Sequence, residues 1–304
     1  MGEYSARVGW DLDFRQLDAG KLRAQAGVMV SSDLIGIRVG FNRGFHQIGQ
    51  SPSGFWTFGL PDPRCGDFSW CGARVEGGDV LNFNLESGFE GVSKAGFSGY
   101  TLSFTDRFLR HAARLLGCDP DVLRYTSGSS AWSGRRASTA ELRGRLGTTY
   151  RALRSIRGHL AGSRGDAWRI EIAAGLFELI AGEAYEAEPG RYPLRQAAVR
   201  RAIELIRDDQ RLPMGVAELC AEVGVSSPTL YRGFMETFGI GPKRYLQNRM
   251  LEGVREDLVA AGPPTRVYEI ANRWGFWHMG QFAVDYRRQF GESPSATLNR
   301  LRRT

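Results

Sequence analysis

The last third of the chain contains an internal duplication. The run from Val216 to Val225 aligns with the run from Val267 to Phe276 at a constant offset of 51 residues, and 230–242 aligns with 282–294 at an offset of 52. Each copy has a short helical pattern, a glycine suited to a tight turn, and a second helix with apolar residues at i, i+4 and i+8. The duplication therefore predicts two helix-turn-helix units.

An apolar stripe joins the two copies, on a predicted helix from Lys243 to Ala260. The stripe consists of Leu246, Met250, Leu251, Val254 and Leu258. At ~1.5 Å per residue this helix is about 27 Å long. A rod of that length suits two recognition helices about 34 Å apart, the spacing of successive major grooves on one face of B-DNA. A helical protein-interaction module is the alternative.

The positive charge of the chain is concentrated in the same region. Residues 191–304 hold 18 Lys+Arg and 12 Asp+Glu, whereas the whole chain has a formal net charge of +7. A basic segment is thus joined to a nearly neutral one, which favours a nucleic-acid partner over a protein-interaction module. Arginine outnumbers lysine throughout the chain, so the arginine content alone does not indicate DNA contact.

The first recognition helix is predicted from Pro228 to Phe238, with Ser227 as its N-cap. Its buried side consists of Leu230, Phe234 and Phe238. The side chains that then face outward are Pro228, Tyr231, Arg232, Met235 and Glu236. Among them, the guanidinium of Arg232 is suited to a bidentate contact with guanine.

The second helix of the second copy presents different chemistry. Its outward residues are Met279, Gly280, Ala283 and Val284. None of them donates a hydrogen bond to a base edge, so direct readout is limited to thymine methyl groups, or to His278 and Gln281 at the margin. Arg287 and Arg288 are predicted to grip phosphate, although two adjacent arginines are equally typical of a solvated face. The DNA-binding candidates are Ser227, Pro228, Tyr231, Arg232, Glu236, His278, Met279, Gln281, Arg287 and Arg288.

The chain before residue 190 has a mixed pattern that predicts an α+β fold. Short β-rich runs, separated by Gly, Pro and Asp, lie at 27–30, 34–41, 55–58, 79–83 and 100–104. An antiparallel sandwich or small barrel is expected there. An Asp cap at Asp106 then starts a helix that Gly117 ends. Further helices are predicted at 139–160 and 166–184, one of which forms a two-fold interface, and a break at 188–190 precedes the basic region.

Aromatic residues are dense between 41 and 70. Strand alternation indicates that most of them fill the core, and the candidates for an effector pocket are Phe45, His46, Trp56 and Trp70. The only histidines are His46, His111, His159 and His278. Because none is near another, the histidine cluster of a catalytic metal site is missing, and no serine or cysteine has a recognisable base partner. We expect no enzyme activity, no cofactor and no metal, with a cupin-type metalloenzyme fused to a DNA-targeting domain as the alternative.

The compartment follows from cysteine spacing and hydropathy. Four cysteines at unpaired spacings predict free thiols, and neither a leader pattern nor an apolar stretch of ~18 residues is found. We expect a cytoplasmic protein without a membrane partner.

The second copy carries a motif that resembles the signature of the AraC/XylS family of bacterial transcription regulators. The motif consists of Glu269-Ile270-Ala271, Trp274-Gly275-Phe276, Gln281-Phe282, Tyr286-Arg287, Phe290-Gly291 and Ser293-Pro294. The resemblance covers about residues 195–300, and it implies a first recognition helix at 228–238 and a second at 279–290. It implies a cupin-like effector-binding barrel at 1–105, a helical dimerisation segment at 106–188 and a double helix-turn-helix DNA-binding domain at 195–304.

The resemblance also implies the partners. These are double-stranded promoter or operator DNA, RNA polymerase, a small-molecule effector of unknown identity and a second copy of the chain, with activation of transcription as the outcome. A β domain that binds a protein and no small molecule is an open alternative.

A narrower resemblance concerns the string 275–298 together with 9–17 and 55–61. These segments are similar to a subgroup that includes regulators of ethanolamine-utilisation operons. The narrower resemblance implies ethanolamine, with cobalamin, as the effector. Nothing in the residues themselves indicates either molecule.

Overall fold

The structure, a computed structural model, describes residues 9–84, 88–119, 131–132, 136–156, 163–181, 194–208, 212–261 and 264–301. It confirms the α+β fold class: strands in two sheets are followed by helices. The chain divides into two units. Unit 1 comprises Met1–Phe14, Ala24–Asn42 and Gln47–Gly190, and unit 2 comprises Arg15–Arg23, Arg43–His46 and Arg191–Thr304. The predicted break at 188–190 lies outside the described residues.

The described strands form a five-stranded sheet in the order β1-β4-β9-β6-β7 and a six-stranded sheet in the order β11-β8-β5-β10-β3-β2. The strands are β1 (Asp11–Gln16), β2 (Ala24–Val30), β3 (Leu34–Phe41), β4 (Phe45–Gln50), β5 (Phe55–Pro61), β6 (Phe68–Trp70), β7 (Ala73–Val75), β8 (Val80–Asn82), β9 (Phe89–Ser93), β10 (Ser98–Thr105) and β11 (Ala131–Trp132). In the larger sheet β10 pairs antiparallel with both β3 and β5, so that Thr101 lies between Ile37 and Gly59.

The strand predictions are confirmed for five of the six described strands of the larger sheet, whereas β11 and the strands of the smaller sheet were not predicted. The predicted runs correspond to β2, β3, β5, β8 and β10, and β3 has the predicted bounds. Every strand of the five-stranded sheet was missed. Those strands are short or contain glycine and polar residues, so they lack the β-branched pattern that a prediction requires.

Three helices of unit 1 cover one face of the larger sheet: α1 (Asp106–Leu116), α2 (Arg136–Ile156) and α3 (Ser163–Ala181). The buried cluster of this face consists largely of Phe58, Leu60, Leu102, Phe104, Leu142, Leu146, Ile172, Leu176 and Phe177. The N-cap of α1 is Thr105, not the predicted Asp106, because the Thr105 side chain accepts from the backbone N–H of Phe108. Gly117 ends α1 as predicted, with a φ of 68°.

The apolar face of α3 is occupied within unit 1. Its buried residues are Ile172, Ala173, Leu176, Phe177 and Leu179, all of which belong to the cluster on the larger sheet. The apolarity of this helix, on which the predicted two-fold interface was based, is therefore explained by packing within one chain. The interface itself stays a prediction.

The described residues of unit 2 form seven helices, which include the two duplicated pairs. They are α4 (Leu194–Arg207), α5 (Val216–Val223), α6 (Ser227–Phe238), α7 (Pro242–Ala260), α8 (Val267–Arg273), α9 (Met279–Phe290) and α10 (Pro294–Leu301). The pair α5–α6 and the pair α8–α9 are the two predicted helix-turn-helix units, and α7 connects them. With 19 residues, α7 is about 28 Å long. Leu246, Leu251, Val254 and Leu258 of its predicted stripe are buried.

Two short N-terminal segments also belong to unit 2. The Gln16 side chain donates from Nε2 to the backbone oxygen of Gln289 at 2.9 Å, and its backbone N–H donates to Glu252 Oε1 at 2.7 Å. Asn248 donates to the backbone oxygen of Leu17 at 3.2 Å. These bonds tie residues 15–23 to α7 and to the end of α9.

Candidate nucleic-acid interface

The first helix-turn-helix is built on a glycine turn. Gly224 ends α5 with a φ of 76°, a conformation that residues with a Cβ rarely adopt. The N-cap of α6 is Ser226 rather than the predicted Ser227, because the Ser226 hydroxyl accepts from the backbone N–H of Thr229. The helix therefore begins one residue earlier than predicted, and Pro228 lies in its first turn.

The exposed face of α6 matches the sequence prediction. Leu230, Phe234 and Phe238 are buried. The exposed residues include Ser227, Pro228, Tyr231, Arg232, Met235 and Glu236. Glu236 forms an ion pair with Arg195 of α4 at 2.5 Å, so its carboxylate is already engaged. Among the described residues, no carboxylate pairs with the guanidinium of Arg232, which leaves it available to an external acceptor.

The ring of Tyr231 on α6 lies against Gly241, the N-cap of α7. A Cβ built on Gly241, the N-cap of α7, would lie 2.8 Å from Cε2 of Tyr231. The ring therefore lies against the glycine while 52% of the residue stays exposed. This contact orients an amphipathic side chain on the outer face of α6.

The second helix-turn-helix repeats this design. Gly275 has a φ of 81° in the turn after α8, and α9 has the predicted bounds Met279–Phe290. The exposed residues of α9 are Gly280, Gln281, Ala283, Val284, Arg287 and Arg288, and His278 just before it is also exposed. Met279 differs from the prediction: it is half-buried against the core of this half, so it is not an outward residue.

Trp277 is a surface residue that the sequence analysis did not select. It lies in the turn before α9 and is 71% exposed, the largest exposed fraction among the large hydrophobic residues described. A tryptophan is ordinarily among the most buried residue types. Its position two residues after Gly275, in the same turn, was the available signal.

Three residues of α7 hold Trp274, one helical turn apart. The indole lies over Gly253, where a Cβ would overlap the ring. Arg249 places its guanidinium carbon 5.5 Å from the ring centroid, a cation–π contact. Asp257 accepts a hydrogen bond from Nε1 of Trp274 at 2.9 Å. The second helix-turn-helix is thus anchored to the connecting helix by its turn.

The core beneath α9 contains a fully buried tyrosine, Tyr286. The Tyr286 hydroxyl donates to Thr297 Oγ1 at 2.9 Å, and the ring is fully buried. Burial raises the pKa of Tyr286 to about 12, because it disfavours the charged phenolate. Tyr286 therefore supports α9 from below as a neutral group.

The structure does not bring the four effector candidates together. Phe45 and His46 are buried in unit 2, where Nδ1 of His46 lies 2.5 Å from the Tyr245 hydroxyl. In unit 1, Trp56 donates to Asp106 at 2.9 Å and packs on the helix-covered face of the larger sheet. Trp70 is fully buried and stacks on Phe89.

Among the described residues, no group of three or more His, Cys, Asp or Glu side chains is placed to hold a metal ion. His159 lies outside the described residues. Within the same residues, no helix has the length and apolarity that a membrane span requires.

Comparison with known proteins places this geometry in a family. A family model described as a helix-turn-helix domain matches residues 219–300. The chain is 39% identical over 107 residues to the "Probable thc operon regulatory protein" of Rhodococcus erythropolis. This match covers 35% of this chain and 32% of that protein. It is 40% identical over 102 residues to the "XylDLEGF operon transcriptional activator 3" of Pseudomonas putida, which covers 33% of this chain and 30% of that protein.

A solved structure matches about a third of the chain. It is that of a probable AraC family transcriptional regulator from Rhodopseudomonas palustris CGA009, with 35% sequence identity, 34% of this chain and 95% of that chain covered, and a TM-score of 0.32. The chain spans about a third of the length of the curated relatives described above.

Two helix-turn-helix units on one connecting helix define a DNA-binding module of transcription regulators. The chain belongs to the AraC/XylS family of transcription regulators, as the motif in the second copy indicated.

Proposed function

We propose that the whole chain is an effector-controlled, sequence-specific regulator of transcription that contacts two adjacent major grooves with α6 and α9. The observation that carries the proposal is that α6 and α9, which α7 connects, each have one exposed face. Leu230 and Phe234 of α6, and Phe282 and Tyr286 of α9, are buried, whereas the opposite faces of the two helices are exposed. At about 28 Å, α7 suits recognition helices bound to grooves about 34 Å apart.

The first unit supplies most of the base recognition in this proposal. Arg232 is exposed and has no carboxylate partner among the described residues, so its guanidinium is free to donate two hydrogen bonds to a guanine edge. Ser227, Pro228 and Tyr231 flank it on the same exposed side. The Arg195–Glu236 ion pair borders this surface and fixes the end of α6 relative to α4.

The second unit supplies mainly positioning. Gly280, Ala283 and Val284 are exposed and carry no hydrogen-bonding side chain, so they suit van der Waals contact with thymine methyl groups. Gln281 and His278 are the polar groups at the start of this helix. Arg287 and Arg288, exposed near its end, contact phosphate oxygens and set the register of the module on the duplex.

The remaining partners are part of the proposal. One relative described above is named as a transcriptional activator. By that likeness, the chain activates transcription in the cytoplasm, contacts RNA polymerase and acts as a homodimer. The β-rich unit 1 takes the effector, and the protein has no catalytic activity of its own.

The test is a selection followed by binding measurements. The full chain is used, because Gln16 and His46 contribute to unit 2 and a fragment starting at 195 lacks them. Selection from a random duplex library should enrich a site with two elements about one helical turn apart. Fluorescence anisotropy should then give an affinity that falls steeply with salt, each neutralised phosphate adding about −0.9 to the log–log slope. An affinity indifferent to salt, or no enriched sequence, contradicts the proposal.

A matched control separates unit 2 from the general charge of the protein. Arg107 of α1 is exposed and pairs with Asp33 in unit 1. Arg107→Ala removes one cation without touching unit 2. The affinity for DNA and the salt slope should both stay at the wild-type values.

A further inference from the structure

Unit 1 contains a cavity of about 410 Å³ that none of the four sequence-predicted effector residues lines. Its wall includes Leu12 and Phe14 of β1, Gln47 of β4 and Phe89 of β9 in the smaller sheet, and residues of β2, β3, β5, β8 and β10 in the larger one. It therefore lies between the two sheets, and its volume is within the ~300–1,000 Å³ range of small-molecule sites.

Small residues at alternating positions create the space. Side chains at every second residue of a strand point to the same face of a sheet. On β5 and β10, Phe58, Leu60, Leu102 and Phe104 pack against the helices of unit 1. The intervening positions on the cavity side are Gly59, Pro61, Gly99 and Thr101, and Leu60 and Tyr100 also contribute to the lining. Glycine at 59 leaves room for the Phe83 ring, a Cβ at Gly99 would meet the backbone of Leu60 and Pro61, and the cavity is bounded by these residues.

The mouth of the cavity lies beside β2. Ala24 and Ala26 belong to its lining and are both exposed, so solvent reaches the cavity at this strand. The opposite end is closed by aromatic packing. Trp10 contacts Phe83 with ring centroids 5.2 Å apart, and Phe83 contacts Phe89 at 4.6 Å.

The lining has no charged side chain. Among the described residues that form it, none is Asp, Glu, Lys, Arg or His. An ionised ligand would lose its hydration there without a counter-charge, which is costly. Small ammonium ions are also recognised by aromatic cages, but here the Trp10, Phe83 and Phe89 rings pack on one another.

Three polar groups in the lining are unused within the described residues. Nε1 of Trp10 is buried and has no hydrogen-bond acceptor, although Trp10 is only 7% exposed. The side-chain amide of Gln47 and the hydroxyl of Thr101 also make no hydrogen bond there. A buried donor without an acceptor is destabilising, so a ligand that supplies one gains affinity.

From this lining we infer that the cavity binds an uncharged, largely apolar organic molecule that carries one or two hydrogen-bonding groups. The inference rests on the proposed function in one respect, namely that this molecule is the effector of the regulator. It differs from the ethanolamine that the narrower sequence resemblance implied, because ethanolamine is a small cation at neutral pH and the described lining offers it no carboxylate.

A matched pair of fluorescent probes tests the charge preference. N-phenyl-1-naphthylamine is neutral, and 8-anilino-1-naphthalenesulfonate has the same ring scaffold with a sulfonate. Titrated into the full chain, the neutral probe should bind at one site per chain and at least tenfold more tightly than the sulfonate. Ethanolamine at millimolar concentration should leave the melting temperature unchanged. Equal or tighter binding of the sulfonate, or a melting shift with ethanolamine, overturns the inference.

A pair of variants tests the location. Ala26→Phe places a ring at the mouth, and Gln25→Phe adds the same ring to the neighbouring exposed residue of β2, on the other face of the sheet. We expect Ala26→Phe to weaken binding of the neutral probe at least tenfold and Gln25→Phe to leave it unchanged. If both variants or neither weaken it, the probe is not in this cavity. Should Ala26→Phe fail to fold, hydrogen exchange on the wild-type protein decides: the probe must protect β2, β3 and β10.

DNA binding in the same samples separates this inference from the proposed function. If the protein binds the selected duplex normally but has no site for the neutral probe, the inference is wrong and the DNA-binding proposal stands. If the probe binds in the cavity but the protein shows no sequence-specific DNA binding, the proposed function is wrong instead.

Discussion

Nε1 of Trp274 donates a hydrogen bond to Oδ2 of Asp257 across 2.9 Å, and this bond joins the turn of the second helix-turn-helix to the connecting helix. Asp257 is also paired with Arg273, at 3.3 Å, so one carboxylate contacts the last residue of α8 and the residue that follows it. Gly253, one turn earlier on α7, leaves the room that the indole needs. The second helix-turn-helix therefore requires a glycine at 253 because of the space that the Trp274 ring occupies, and not for backbone flexibility.

The first prediction concerns this glycine. Gly253→Ala should lower the free energy of unfolding by about 1–3 kcal/mol, because the added Cβ overlaps the Trp274 ring and the close-packed core has to shift. The higher helix propensity of alanine offsets only about 1 kcal/mol of that cost. Urea unfolding of the full chain measures the change.

Gly280 provides the control. It lies in the first turn of α9, and a Cβ built there meets nothing within 4 Å. Gly280→Ala should therefore raise the unfolding free energy by up to about 1 kcal/mol. If the two glycine variants change stability in the same direction, packing against Trp274 is not what the glycine at 253 provides.

The contrast between the two sheets explains which parts of the fold the sequence predicts. The larger sheet contains long strands with β-branched residues, such as β3 with its run LIGIRVGF. Strands of the smaller sheet include β6, FSW, and β7, ARV, of three residues each, too short for alternation to be visible. These two strands pair with each other locally, but the other partner of β6 lies farther along the chain: Ser69 of β6 pairs with Val92. A local pattern contains no information on such pairings.

The candidate interface was more predictable because its signals are local. The helical period, the turn glycines and the duplication all lie within about 100 residues, and the family motif in the second copy gave α9 its correct bounds. The missed features are those that depend on distant residues. The bond from Gln16 to Gln289 spans 273 positions, and the cavity of unit 1 is assembled from strands of both sheets.

The second prediction concerns pH. Burial raises the pKa of Tyr286 to about 12 in the folded protein, against 10.0 for the unperturbed group. As the pH rises, the unfolded chain loses this proton first, so the contribution of Tyr286 is complete below pH 10 and is lost between pH 10 and about 12. The total is about 2–3 kcal/mol.

Variants isolate this contribution. The difference in unfolding free energy between wild type and Tyr286→Phe should be smaller at pH 10.8 than at pH 8, as measured by urea titration. Tyr231→Phe removes an exposed phenol from α6 and is measured beside it, to show the effect of losing a phenol outside the core. A pH-independent difference for Tyr286→Phe would show that its phenol is not held neutral by burial.

The third prediction concerns Trp277, whose side chain is 71% exposed. If it contacts DNA beside α9, burial of about 40 Å² of its ring is worth about 1 kcal/mol. Trp277→Ala should then weaken binding to the selected duplex about fivefold and leave the melting temperature within a degree of the wild-type value. Tyr268→Ala is the matched control, because Tyr268 is a 45% exposed aromatic residue on α8. Equal losses of affinity in both variants would argue against a specific contact by Trp277.

The fourth prediction separates the two helix-turn-helix units, and it rests on their unequal chemistry. Arg232 is an exposed donor on α6, whereas the exposed side of α9 presents Gly280, Ala283 and Val284, with Arg287 near its end. Arg232→Ala should weaken binding to the selected duplex by about 1–3 kcal/mol and relax the preference at one or two base pairs, with nonspecific binding almost unchanged. Arg287→Ala should weaken binding to all duplexes alike and reduce the salt slope by about one unit, as expected for a lost phosphate contact.

Titrations of both variants on selected and scrambled duplexes, at several salt concentrations, measure affinity, preference and slope together. Arg288→Ala, next to Arg287 and equally exposed, serves as the comparison within the same helix: it should match Arg287→Ala if both arginines contact phosphate, and wild type if Arg288 only faces solvent. The roles are reversed if Arg232→Ala lowers affinity for both duplexes equally while Arg287→Ala changes sequence preference. In that case α9 reads the bases through its polar margin, and α6 positions the module on the phosphate backbone.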